Sequence, residues 1–138
     1  MSADHNTPQH IKLHRKSREL ELIYSDGAQH RLSCEFLRVY SPSAEVRGHG
    51  RGQEVLQTGK KFVDINDIIP VGNYALQLVF SDGHNSGIYS WGYLRELGEQ
   101  REALWQDYLQ QLHEAGASRD PDEQVVTLFD PAAGKPEA

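Results

Sequence analysis

The richest concentration of reactive chemistry in the sequence is Arg47-Gly48-His49-Gly50-Arg51-Gly52. Glycines let backbone amides approach an anion and two arginines can clasp it. A nucleotide-binding glycine loop must also follow a strand and open a helix, and the stretch after it, residues 53–61, carries no helical stripe. The segment therefore reads as a cationic surface loop in which Arg47, His49 and Arg51 form the best anion or partner contact of the chain. Seven histidines and one cysteine invite a metal. Paired cysteines two residues apart are absent. His5, His10 and His113 fall on polar segments. His84 stands apart: it follows an Asp82-Gly83 turn, where a hairpin tip would expose it, and it is the candidate metal ligand, with His30, His49 or Cys34 as partners if the fold gathers them.

Nucleophilic chemistry has less support. Cys34 opens an expected helix, where the helix dipole lowers a thiol pKa, yet its neighbours Phe36 and Leu37 mark it as a small half-buried apolar residue. No serine sits in a strand-turn-helix elbow, and the acid pairs Glu99 with Glu102 and Asp120 with Asp122 fall on solvated helix and tail. The residues do not assemble an acid, a base and an electrophile into one site, so the expectation is a non-enzyme with no catalytic residues.

The elements that must position these residues are written twice. Leu20, Leu22 and Tyr24 alternate into Ser25-Asp26-Gly27 and resume through His30 and Leu32 to Ser33. Leu76, Leu78 and Phe80 run into Ser81-Asp82-Gly83 and resume through Ile88 to Ser90. Alternation on both sides of Asp-Gly signals a hairpin, because glycine supplies the positive φ of a tight turn. Each closing serine precedes a helical pattern, Cys34-Phe36-Leu37-Arg38 in one copy and Trp91-Tyr93-Leu94-Arg95 in the other, and is placed to cap it. The offset is 56 residues before the turn and 57 after it, and the additional residue falls among residues 84–87.

Pro42 ends the first helix, expected over 34–40. The second continues through Leu94, Leu97, Arg101, Leu104, Trp105, Tyr108 and Leu112, a stripe at spacings of three and four that should pack on the sheet, with Gly98 as a bend. Further strands are expected at residues 11–15 and 62–65, with 67–70 a loop. The expected fold is α+β: an antiparallel sheet built from two hairpin-helix units, with the long C-terminal helix packed on one face.

Length and charge narrow the function. At 138 residues the chain has room for one domain. We divide it into a flexible lead (1–10), the domain (11–115) and a flexible acidic tail (116–138) in which residues 125–129 form a short apolar run. A net charge of −6 argues against a general nucleic-acid binder. The charge is split, +3 over residues 1–61 and −9 over 62–138, which points to an anionic ligand or acidic protein at the basic loop, with the acidic tail as a competitor for it. A single cysteine suits a reducing compartment, and no stretch approaches the roughly 20 apolar residues of a membrane span. The expected location is the cytoplasm.

Leu37-Arg38 leading into Ser41-Pro42-Ser43-Ala44-Glu45-Val46-Arg47-Gly48, together with Asp82-Gly83-His84 and Ser86-Gly87-Ile88-Tyr89-Ser90-Trp91, resembles the small N-terminal domain of gamma-butyrobetaine hydroxylase and, more closely, the stand-alone bacterial proteins of uncharacterised function grouped with it. In the hydroxylase that domain holds a structural zinc through Cys-Pro-Cys-x-x-Cys and a later histidine. Those positions fall here on Ser41, Ser43, Val46 and His84, so three of four ligands are gone. The resemblance implies a lost zinc site and no cofactor, since the iron and 2-oxoglutarate chemistry belongs to a separate domain. Related domains also occur attached to P-loop ATPases that carry iron–sulfur clusters. The expected function is therefore an accessory interaction domain, its hairpin tips and basic loop docking on such an ATPase or an oxygenase. The alternative is a metal-binding protein using His84.

Overall fold

The computed structural model describes residues 6–48 and 54–121. His49, Arg51 and the run at 125–129 lie outside the described residues. The chain forms strands β1 (His10–His14), β2 (Glu19–Ile23) and β3 (Gln29–Ser33), short helices α1 (Cys34–Val39) and α2 (Ala44–Arg47), strands β4 (Ile65–Val71), β5 (Ala75–Phe80) and β6 (Ile88–Ser90), and helices α3 (Trp91–Glu99) and α4 (Arg101–Ala115). The class is α+β, as expected.

The single sheet becomes two three-stranded antiparallel sheets, β1-β2-β3 and β4-β5-β6. Each hairpin recruits the strand that precedes it rather than its twin. Between the sheets the link at β4 is a side chain instead of a ladder: Arg15 Nη1 donates to the Ile65 carbonyl at 2.7 Å. The inner faces nevertheless share one core. Leu20, Leu22 and Leu32 of the first sheet pack with Leu78, Phe80 and Tyr89 of the second, all between 0 and 1% exposed.

The duplication extends to individual hydrogen bonds. Tyr24 N–H donates to Ala28 O and Gly27 N–H to Tyr24 O; Phe80 N–H donates to His84 O and Gly83 N–H to Phe80 O. Ser33 Oγ caps α1 by accepting from Phe36 N, and Ser90 Oγ caps α3 by accepting from Tyr93 N. The halves then clasp each other reciprocally. Asp26 in the first turn pairs with Arg95 of α3 at 2.8 Å, and Asp82 in the second turn pairs with Arg38 of α1 at 2.9 Å.

Three local expectations need correction. Residues 67–70 are strand rather than loop, because β4 lies at a sheet edge where Pro70 has no ladder bond to lose; a bulge between Ile65 and Asp67 absorbs the irregularity. The preceding residues 62–64 are not strand, and Phe62 is 50% exposed beneath the cations of Arg18 and Lys61. The long helix divides at Gln100, not at Gly98. Gly98 is small because a Cβ there would stand 2.5 Å from His30 Cγ.

The domain also extends past 115. Gly59 N–H donates to Ser118 O, Lys61 N–H to Arg119 O, and Arg119 makes two 2.8 Å bonds to the buried Glu35 carboxylate. Upstream, Gln9 N–H reaches Ile23 O. Among the described residues no helix is long and apolar enough to cross a membrane.

Candidate functional site

Ser41 follows α1, where Pro42 prevents the helix from continuing. Ser43 caps α2, its Oγ accepting from Glu45 N at 3.1 Å. The β5–β6 connection brings His84 and Ser86 to the same place. His84 Nε2 lies 2.8 Å from Ser41 Oγ and Nδ1 lies 3.0 Å from Glu45 Oε1, while Ser43 Oγ and Ser86 Oγ are 2.7 Å apart.

His84 is buried, against the expectation of an exposed tip residue. The turn is so tight that His84 closes its base, and the ring points inward onto the α1–α2 junction with Phe80 at 6.0 Å. Burial, with the Arg38 guanidinium nearby, holds His84 below its usual range, and Glu45 only partly opposes this. The neutral ring fits its partners in one tautomer: Nδ1–H donates to Glu45, and Nε2 accepts from the Ser41 hydroxyl. Ser41 Oγ in turn accepts from Ser43 N at 3.2 Å. Every member of the chain has a donor or acceptor role.

Asp82 is the electrostatic anchor beside this network. Burial alone would raise its carboxyl, but Lys60, the His84 N–H and Arg38 outweigh it and bring the pKa down to about 2. Ser41, Glu45 and His84 follow the order of an acyl-transfer relay, yet their environment is that of a lock. Ser41 is 1% exposed and a Cβ on Gly87 would lie 2.5 Å from its Oγ. Glu45, the residue that would orient the imidazole, has a side chain 70% exposed to solvent.

Of the positions that hold zinc in the resembled domain, Ser41 meets His84 directly and Ser43 joins it through Ser41. Their chemistry does not fit zinc: two hydroxyls and an alkyl group replace thiolates, and the imidazole acceptor is held by Ser41. The other ligand candidates are elsewhere engaged. His30 packs its ring against Tyr24 and Gly98. Cys34 is buried, and desolvation, with the nearby Asp64 carboxylate adding to it, pushes its thiol up to about 11. Among the described residues no three His, Cys, Asp or Glu side chains are grouped to hold a metal ion.

Arg47 is exposed, with its guanidinium 5.5 Å from the centre of the Tyr93 ring. Sequence reasoning missed Glu45 and Ser86, whose partners lie 39 and 43 residues away along the chain. The resemblance, which set Ser41, Ser43 and His84 at related positions, was the signal that pointed here.

Comparison with known proteins places these features. No curated protein matches the chain. Two solution structures share 52% and 51% identity with TM-scores of 0.74 and 0.72; they cover 88% and 94% of this chain and 96% and 98% of their own. A crystal structure at 1.93 Å of a protein of unknown function from Acidithiobacillus ferrooxidans, in the DUF971 family, is 41% identical with a TM-score of 0.59, covering 70% of this chain and 98% of that one. The family model described as gamma-butyrobetaine hydroxylase-like, N-terminal, matches residues 11–95, and the chain belongs to that family.

Proposed function

We propose that this protein is a soluble, cytoplasmic, non-enzymatic accessory domain that docks on a metal-dependent partner, a P-loop iron–sulfur ATPase or an oxygenase. One observation carries the reading: the outer face of the second sheet presents exposed aliphatic residues where its duplicate presents charge. Ile69, Gln77 and Ile88 form one cross-strand row, with both isoleucines about 40% exposed and Tyr74 in the adjoining turn 61% exposed. The corresponding row of the first sheet is Lys12, Glu21 and Arg31. Two copies of one structural unit diverging from alternating charge to exposed aliphatic surface is the signature of an acquired contact.

The docking surface therefore moves from the hairpin tips, whose aspartates are bound to helices, to this face. Capture of an ATPase or oxygenase from native lysate is the expected result, and Ile88→Asp should abolish it without changing the unfolding midpoint. Equal capture by the variant would refute this surface. The metal-binding alternative is the weaker one, since both nitrogens of His84 already serve the lock.

A further inference from the structure

A cleft of about 230 Å³ opens between the end of α1, α2, residues 54–57, Tyr93 of α3 and Tyr108 of α4. Its walls are held in place by their own polar tips. Tyr93 OH donates to Tyr40 O at 2.6 Å, Tyr108 OH to Gln57 O at 2.7 Å, and Tyr40 OH to Leu104 O at 2.7 Å. The phenols are thus spent on backbone carbonyls, and with Val39, Val46 and Leu56 they make a preorganised apolar wall in a cleft whose other side is polar. Such a cavity holds roughly eight water-sized groups, below the span of drug-sized pockets and right for a small metabolite.

The rim supplies one cation. Arg47 lines the cleft with its guanidinium over the Tyr93 ring, and among the described residues no carboxylate or carbonyl engages that guanidinium. The contact with the ring face occupies none of the guanidinium N–H donors and leaves them for a planar anion, whose two oxygens match that fork. Glu54 shares the rim and repels a second negative charge, so the fit is to a monoanion.

We propose that this cleft binds a small amphipathic monocarboxylate, with the carboxylate on Arg47 and the apolar body against Tyr108, Val46 and Leu56. The site uses none of the sheet-face residues of the docking surface, so either reading can fail alone. The test is a titration of the ¹⁵N-labelled full chain, followed by amide shifts, with phenylacetate, neutral 2-phenylethanol and cationic phenethylamine as probes. Phenylacetate is expected to give saturable shifts at Gln57, Tyr93 and Gln111 and to bind about tenfold more tightly than either analogue. Arg47→Gln, an exposed change that leaves the core intact, should remove that tenfold preference. Gln111→Lys, which places a second cation on the rim, should strengthen phenylacetate binding. Equal binding of all three probes, preference for the amine, or no saturable shift up to the solubility of phenylacetate would each overturn the proposal.

Discussion

At the residue scale, His84 shows how a single side chain can hold a junction of distant segments together. Its two nitrogens tie Ser41, at the end of α1, to Glu45 in α2 from a hairpin 39 to 43 residues later. Truncating it strands a buried hydroxyl and opens a cavity, so His84→Ala is expected to cost about 2–3 kcal/mol in denaturant unfolding. The pH dependence has a definite sign. Burial lowers the folded-state pKa of His84 and also of His30, so the unfolded chain binds protons more readily. Their contribution is complete above about pH 6.5 and is lost as pH falls below it. Asp82 has the same sign in a lower window, from about pH 4 down to about 2. The acid-side slope of stability between about pH 6.5 and 5 should therefore be shallower in His84→Ala, retaining the share of His30. An unchanged slope would contradict this account. The burial of His84 was not legible in the sequence, because Asp-Gly marks where a turn is and not which way the next side chain points.

At the scale of elements, local signals were legible and pairing choices were not. Ser33 and Ser90 cap as their positions required, and the stripe from Leu94 to Leu112 faces the core, since both depend on neighbours within a turn. The division into two sheets depends on which distant strand each hairpin recruits, and β4 was hidden by Pro70, which rules out a central strand but permits an edge. Gly98 was read as a bend and is a contact. Helix propensity alone would make Gly98→Ala stabilising by about 1 kcal/mol. The His30 ring and Cβ lie within 2.9 Å of the new methyl, close to the His30 backbone where little motion is available. The substitution should instead destabilise by about 1–2 kcal/mol. In a His30→Ala background only the 2.9 Å contact with Cβ remains, so the same change should cost less, and a double-mutant cycle measures that coupling.

At the scale of the whole molecule, the charge asymmetry is partly stitched together. Arg119, from the acidic half, is cationic and pairs with Glu35 of the basic half, whose side chain is 6% exposed. A chain ending at Gly116 loses that pair and the bonds to Gly59 and Lys61. It should be less stable than a chain ending at Pro121 by about 3 kcal/mol, the order expected when a buried ion loses its partner. Equal midpoints in urea would show that residues 117–121 add nothing to the fold.

The reciprocal clasp reaches further. Asp26 to Arg95 and Asp82 to Arg38 are one interaction made twice, as are the close approaches of Gly98 to His30 and Gly87 to Ser41. In each case one half's residue meets the counterpart of its own partner in the other half. This is the rule of a two-fold symmetric homodimer, now enclosed in one polypeptide. A true homodimer must change both faces whenever its gene changes one. A chain that carries both halves is free of that constraint: it can place histidine at position 84 where the first half keeps Ala28, and aliphatic residues on one sheet where the other keeps charge. Covalent linkage has turned symmetry into two independently variable surfaces.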